Sequence, residues 1–127
     1  MAFMLKIRWT FKPGQRAAFE ASQRTLCRVM LDHPGVITYH VDYPTEAYSE
    51  WVEIYATDAA FRAHVENPAG KAPLAACAAA CASIDTRCFG DPDAASREFL
   101  KGFATSYHPT APESFVLNPR ADRTSEV

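Results

Sequence analysis

The sequence lacks the features that most readily identify membrane, nucleic-acid-binding and metal-binding proteins. In its 127 residues no apolar run approaches the roughly 20 residues that a transmembrane helix needs. A formal net charge of −2 gives no electrostatic reason to expect a nucleic acid or an anionic membrane as partner. There is also no phosphate-binding glycine loop, nucleophile elbow, Cys-x-x-Cys pair or zinc-ligand spacing. These absences argue against nucleotide use and against a structural metal.

No secretory signal is evident at the N-terminus, where Met1 to Lys6 alternates like a strand and has no apolar block or cleavage site. We therefore expect a cytoplasmic protein whose four cysteines are reduced. Cys77 and Cys81 lie four residues apart in an Ala-rich run, which places them on one face of a predicted helix. With Leu74 and Ala78 they form a stripe typical of a helix buried on one side, so core packing is favoured over metal binding or redox work.

A hydrophobic content of 48% in a chain of this length predicts one domain with its own core. The first strand is predicted from Phe3 to Phe11, because apolar residues alternate there with Lys6, Arg8 and other polar residues. Pro13-Gly14 ends it. A helix is predicted from Gln15 to about Asp32, with one apolar side formed by Phe19, Leu26 and Met30.

Two further strands, Val36 to Tyr43 and Tyr48 to Ala56, are predicted to form a hairpin around the turn at 44–47. On the first, Ile37, Tyr39, Val41 and Tyr43 are expected to share a face. On the second, Val52, Ile54 and Ala56 lie on one face and Trp51, Glu53 and Tyr55 on the other. Such a strand is expected to be covered on both faces.

Thr57 is a suitable N-cap for a helix that ends near 67–70, and Pro73 is expected to restart it. A fourth strand is predicted at Ser83 to Phe89. The order β-α-β-β-α-β over residues 1–90 predicts an α+β, ferredoxin-like domain with a four-stranded antiparallel sheet. Residues 91–127 are expected to add a helix from Asp93 to about Phe103 and an extended tail, in which Phe115 to Leu117 could dock, to the same domain.

The stretch from Glu50 to Pro68 contains the most reactive group of side chains. His64 follows Phe61 by one helical step and is expected to point toward the sheet, where its near-neutral pKa suits a general base. Glu53 could orient it. The alternative is structural: a half-buried His64 that hydrogen-bonds Glu53 and ties helix to strand. Trp51, Tyr55 and Phe61 are candidates for the wall of an aromatic-substrate cavity, or simply for the core. His33 and His108 are expected in turns or at the surface.

The chain resembles the antibiotic biosynthesis monooxygenase family over about residues 3 to 90. The resemblance rests on Pro34-Gly35 before a strand with Tyr39, on Glu53-Ile54-Tyr55, and on Ala60-Phe61, His64 and Asn67-Pro68 in the family's order and spacing. It implies a homodimer in which two sheets pack into an α+β barrel, so that Trp51, Glu53 and Tyr55 belong either to a substrate site or to the dimer contact.

The same resemblance implies a cofactor-independent monooxygenase that oxidises a small aromatic or quinone-like compound with O2. His64 would accept the proton and Glu53 would orient it. The first strand has no Asn and residues 71–82 have no His, two departures that argue against the haem chemistry of some relatives. The alternative is a non-catalytic dimer that binds a small hydrophobic ligand or has a filled core.

Overall fold

A computed structural model of the protein describes residues 2–109. The strands are β1 (Phe3–Phe11), β2 (Val36–Asp42), β3 (Tyr48–Tyr55), β4 (Cys81–Phe89) and β5 (Thr105–His108). The helices are α1 (Arg16–Met30), α2 (Asp58–Glu66), α3 (Pro68–Ala79) and α4 (Ala94–Leu100), and a 3-10 turn follows at Lys101–Phe103. The possible docking segment from Phe115 to Leu117 lies outside the described residues.

The ferredoxin-like α+β fold is confirmed, with the strands in the order β2-β3-β1-β4-β5. β1 pairs antiparallel with both β3 and β4, and β2 pairs antiparallel with β3. The predicted count of four strands is wrong, because β5 adds a fifth that runs parallel to β4. β5 has only four residues on one sheet edge, and its place depends on backbone pairing that an apolar period does not reveal.

One face of the sheet carries the helices and the core. Phe3, Leu5, Ile7, Trp9 and Phe11 of β1 all point to that side, as the alternation predicted, and they pack with Phe19, Leu26, Phe61, Cys77 and Leu100. Lys6 and Arg8 lie on the opposite face and are exposed. The polar half of the β1 pattern therefore marks the face that the helices leave open.

Three details of the predicted elements are corrected. Ile37 is exposed, because an irregular register between Val36 and Thr38 turns it away from the core. The second helix restarts at Pro68 rather than Pro73, since the Asn67 side chain accepts from the N–H of Ala69 and caps α3. Cys81 does not share a helix with Cys77; it is the first residue of β4, although both thiols are buried.

Helix α4 begins after Asp93, whose Oδ1 accepts a hydrogen bond of 2.9 Å from the N–H of Ser96. The same Asp93 forms an ion pair with Arg62 of α2, and its backbone N–H donates to Asp58. The Ser96 hydroxyl also donates to Asp58. These contacts hold α4 against the beginning of α2, over one end of the core.

Candidate functional site

Strand β3 places Trp51, Glu53 and Tyr55 side by side on the face that the helices cover. Opposite each of them β1 contributes an apolar residue, with Leu5 paired to Glu53 and Ile7 to Trp51. All three β3 side chains are buried. They face the helices rather than the open side of the sheet.

The carboxyl group of Glu53 is buried in an apolar surrounding and is 4% exposed. Its Oε1 accepts a short hydrogen bond from the hydroxyl of Tyr55. Burial raises the pKa of Glu53 to about 7, while the Tyr55 bond opposes part of that shift. Glu53 is thus a carboxyl that exchanges its proton near neutral pH, which is the range where a general base is most effective.

His64 is positioned by the start of α2, where the Thr57 hydroxyl accepts from the N–H of Ala60 and fixes the first turn. About two turns after Thr57, the imidazole of His64 reaches the sheet, with its Nε2 atom 3.9 Å from Oε1 of Glu53. Its ring stacks on Tyr55 with centroids 5.7 Å apart. The prediction that His64 points to the sheet and lies beside Glu53 is therefore met geometrically.

Two observations on the Glu53–His64 contact point in different directions. The distance of 3.9 Å satisfies an ion-pair criterion, but burial lowers the pKa of His64 to about 4, with a smaller effect of the neighbouring His33. Burial determines the protonation state of His64, because 3.9 Å is too long for a hydrogen bond that could stabilise two charges. At neutral pH His64 is an uncharged imidazole beside a titrating carboxyl.

Aromatic rings surround the pair. Phe61 contacts Tyr55 edge-on at 5.1 Å between centroids, and Tyr39 contacts both Trp51 and His64 at 5.6 Å. The structure thus brings the five predicted residues (Trp51, Glu53, Tyr55, Phe61 and His64) into one region of the core. This proximity is equally compatible with a substrate site and with a packed core.

A cavity of about 20 Å³ lies between the sheet and the helices at this point. Its walls include Glu53, His64 and Trp51, and residues of α4 and the following turn close it: Phe99, Leu100 and Phe103. Such a space accommodates about one water molecule, since roughly 10–15 Å³ is the minimum for one. A space of this volume has no room for an aromatic ring.

Several residues of this region were missed from the sequence. His33 is half-buried rather than a plain turn residue, and its ring meets that of His64 edge-on at 5.9 Å. Its Nε2 atom lies 2.9 Å from Nδ2 of Asn67, the residue that links α2 to α3. Trp9 and Tyr39 also line the cavity. In the sequence, only the positions of Trp9 and Tyr39 on the apolar faces of their strands could have indicated that they line the cavity.

The open face of the sheet carries a separate depression of about 320 Å³. Its floor is charged, and Arg8 pairs with Glu50 at 2.6 Å while its guanidinium lies over the Tyr48 ring. Within the described residues no three His, Cys, Asp or Glu side chains are grouped as metal ligands. None of the helices in residues 2–109 is long and apolar enough to cross a membrane.

Comparison with known proteins bears on the family and the fold. The profile described as "Antibiotic biosynthesis monooxygenase" matches residues 2–75, more than half of the chain. Among solved structures, MupZ from Pseudomonas fluorescens has a TM-score of 0.67 and 14% identity, covering 93% of this chain and 95% of its own. Since 93% of the chain is covered, the shared fold extends beyond residue 90.

Two further structures share the fold. Rv0793 from Mycobacterium tuberculosis has a TM-score of 0.64 and 16% identity, covering 75% of this chain and 99% of its own. SnoaB from Streptomyces nogalater is described as a cofactor-independent oxygenase. It has a TM-score of 0.60 and 15% identity, covering 72% of this chain and 94% of its own. At these identities the likeness concerns the fold alone. The comparison with curated proteins gave no match.

Proposed function

Because the chain belongs to the antibiotic biosynthesis monooxygenase family, we propose that it is a cofactor-independent monooxygenase. Its substrate would be a small aromatic or quinone-like compound, and its oxidant O2. The observation that carries this proposal is the buried Glu53 carboxyl beside the neutral imidazole of His64 at an aromatic-lined cleft. The description of SnoaB as a cofactor-independent oxygenase supports the same reaction class.

The proposed reaction needs a base and no external reductant. A methylene group between two aromatic rings loses a proton to the base, and the resulting carbanion transfers an electron to O2. Recombination gives a peroxide, which loses water to leave a carbonyl group. One oxygen atom enters the product, the other leaves as water with the two hydrogens of the methylene, and the electrons balance.

The pKa values of Glu53 and His64 favour an exchange of their predicted roles, in which His64 accepts the proton and Glu53 orients it. A group whose pKa lies near the working pH is the more effective base, and that group is Glu53, at about 7. His64, with a pKa of about 4, is a poor proton acceptor at neutral pH. We therefore assign proton removal to Glu53 and give His64 the role of an uncharged neighbour that positions the carboxylate by packing, without a hydrogen bond to it. Trp51, Tyr55 and Phe61 form the wall.

An aromatic substrate can enter only if the closing side chains move. Phe99 and Phe103 belong to α4 and the short turn after it, and both are only partly buried. They stack on each other at 5.3 Å and touch the wall through Phe61 and Trp9. A small displacement of this segment would replace two protein rings by the rings of the substrate.

The proposal includes a homodimer formed through the open face of the sheet. That face carries Val52 and Ile54, which are half-buried in the single chain. The salt-bridged Arg8 and Glu50 beside them would be covered by the partner's sheet. The proposed site of action is the cytoplasm, a reducing compartment that suits cysteines Cys27, Cys77, Cys81 and Cys88, all of which are free.

The nearly filled cleft favours a second candidate, a non-catalytic dimer whose side chains complete its own core. A cavity of about 20 Å³ is what a well-packed interior commonly retains. In that case Glu53 and His64 are buried polar residues without a substrate. The two candidates differ in whether the cleft admits an aromatic compound and whether oxygen is consumed.

Oxygen uptake with a panel of quinols and anthrones tests the proposal. The wild type is expected to accelerate uptake over the spontaneous rate, while Glu53→Gln and His64→Ala lose at least about tenfold. Glu66→Gln, a change at an exposed residue of α2, serves as the control and should keep the wild-type rate. No acceleration by the wild type with any compound would favour the non-catalytic candidate. Equal rates in wild type and His64→Ala would remove His64 from the mechanism.

A further inference from the structure

Two tryptophans lie against each other in the core, and their hydrogen bonding differs. Trp9 of β1 and Trp51 of β3 have ring centroids 4.8 Å apart, and both are almost completely buried. The Nε1 of Trp51 donates to the hydroxyl of Ser49 at 3.0 Å. The Nε1 of Trp9 is buried and has no acceptor among residues 2–109. Buried N–H groups are normally paired, because an unmet donor loses its bond to water.

The unpaired indole belongs to a residue that lines the small cavity. Glu53 and His64 line the same space, and the Nδ1 atom of His64 is likewise buried without a partner in the described part of the chain. A cavity of about 20 Å³ accepts one oxygen-sized group. Three of the lining residues carry an N–H donor, an imidazole nitrogen and a carboxyl. A hydroxyl group can use a donor and an acceptor of this kind, and a carbonyl oxygen can use the donor.

We propose that the indole N–H of Trp9 binds an oxygen atom of the aromatic ligand in this cleft. This inference rests on the proposed function and takes its ligand class from it. What it adds is a binding residue, Trp9, and the position of one oxygen atom of the ligand. The donor suits a ring carbonyl and a ring hydroxyl equally well. It places an oxygen-bearing ring next to Glu53 while Trp51, already bonded to Ser49, contributes only its surface.

The position of the ligand ring follows from the side chains that close the cleft. Phe103 meets Trp9 edge-on with centroids 6.0 Å apart, and Phe99 stacks on Phe103. A bound ring that replaces Phe103 would lie within reach of the same indole. A ligand that also carries an oxygen would satisfy the Trp9 donor, which a phenylalanine ring satisfies at most weakly.

Indole N–H resonances test the proposal directly, because the chain has two tryptophans. The full-length protein, labelled with ¹⁵N, gives two such signals, which the variants Trp9→Phe and Trp51→Phe assign. The probe is 2-naphthol, and naphthalene, which has the same rings and no oxygen, is its matched control. We expect 2-naphthol to move the Trp9 signal downfield, as a new hydrogen bond does, and naphthalene to produce no downfield shift.

Affinities separate the hydrogen bond from packing. Loss of one neutral hydrogen bond changes a dissociation constant by about tenfold. Trp9→Phe should therefore lower the preference for 2-naphthol over naphthalene by about tenfold. The change in ring size affects both compounds and cancels in that ratio. Trp51→Phe should leave the ratio within about twofold of the wild type, since its N–H is already used inside the protein.

A Trp9 signal that responds alike to both compounds, or an unchanged affinity ratio in Trp9→Phe, would overturn the proposal. So would the absence of any shift with 2-naphthol up to its solubility limit. These readouts do not depend on turnover. If oxygen uptake is lost in Glu53→Gln while Trp9 ignores the probe, the oxygenase proposal stands and the oxygen site is wrong. If Trp9 binds 2-naphthol but no compound is oxidised, the oxygen site stands and the oxygenase proposal is wrong.

Discussion

Oε1 of Glu53 lies 3.9 Å from Nε2 of His64, and both side chains are about 95% buried. At that separation the two groups influence each other without sharing a proton. The surrounding core disfavours charge on either group and shifts their pKa values in opposite directions. Glu53 rises from 4.5 to about 7, whereas His64 falls from 6.5 to about 4. The pair is therefore largely uncharged at mildly acidic pH.

Replacing Glu53 by Gln should stabilise the protein relative to wild type as the pH rises. Between pH 4.5 and 7 the folded wild type holds more protons on Glu53 than the unfolded chain, so its free energy of unfolding falls with increasing pH. Glutamine removes that loss and still accepts from Tyr55. Urea unfolding measures the free energy of unfolding of both proteins at pH 5 and pH 8. The value for the variant minus that for the wild type should increase by on the order of 3 kcal/mol between the two pH values.

The control is Glu66→Gln, which changes an exposed carboxyl at the end of α2. The free energy of unfolding of this variant should differ from that of the wild type by nearly the same amount at both pH values. In Glu53→Gln the imidazole of His64 is still buried. In the unfolded chain this imidazole takes up a proton below pH 6.5, whereas in the folded protein its pKa is about 4. That variant should therefore lose stability as the pH falls from 6.5 toward 4. A pH-independent difference for Glu53→Gln would mean that Glu53 titrates normally.

Gly35 should be intolerant of a side chain, because a Cβ there would lie 2.6 Å from the Cβ of Ala60. Its φ of +81° adds backbone strain for alanine. Gly14, with φ +75° and no atom within 4 Å of a built Cβ, is the matched control. Gly35→Ala should cost at least about 2 kcal/mol more than Gly14→Ala in urea unfolding.

The double variant Gly35→Ala/Ala60→Gly removes the methyl group that causes the clash. It should recover part of the lost stability, although glycine within α2 has its own cost of about 1 kcal/mol. If Gly35→Ala and Gly14→Ala are equally destabilising, the turn before β2 does not approach α2 as closely as the distance from Gly35 to Ala60 indicates.

Much of the fold could be predicted because each main element has a simple periodic cause. The alternation from Phe3 to Phe11 identified β1 and its buried face, and the Thr57 cap identified the start of α2. The order of these elements then indicated the ferredoxin-like domain. Proximity of Glu53 and His64 followed, because a strand and the helix after it pack together.

What the sequence did not reveal depends on tertiary contacts. β5 is held by pairing to the edge of β4, and Ile37 turns outward at an irregularity in strand pairing. Which face of β3 the helices cover could not be read from an alternation in which both faces carry apolar residues. The place of Trp9 at a cavity, with an unpaired N–H, depends on how several elements pack, because residues of β1, β2, β3, α2, α3, α4 and the 3-10 turn line that cavity together.

Phe99→Ala should open the cleft, because it removes a ring that contacts Phe61 and Phe103. Since Phe99 is partly exposed, we expect a loss of about 2 kcal/mol, less than for a fully buried phenylalanine. Naphthalene binding, followed by the change in tryptophan fluorescence, should tighten by at least about threefold as the cavity grows. Leu31→Ala, at a residue that is 81% exposed, should change neither property. Unchanged binding in Phe99→Ala would mean that α4 does not control entry.

Val52→Asp should convert the proposed dimer to a monomer. The side chain lies on the open face of the sheet, opposite Lys6 of β1. Burying a new carboxylate under the partner's sheet is strongly unfavourable, and desolvation can exceed what a pair with Lys6 returns. Sedimentation velocity measures the state directly. Leu31→Asp places the same charge at the exposed end of α1 and should remain dimeric. A wild type that sediments as a monomer would refute the dimer itself.

The most direct test of an acid–base group in this cleft is a ¹³C NMR titration of the side-chain carboxyl of Glu53. The signal is identified by its loss in Glu53→Gln, and the shift is followed from pH 3 to pH 9. A midpoint near 7 is expected, rising further in Tyr55→Phe because the hydrogen bond from Tyr55 favours the carboxylate. A midpoint near the ordinary value of 4.5 would contradict the assignment of Glu53 as a base poised at neutral pH.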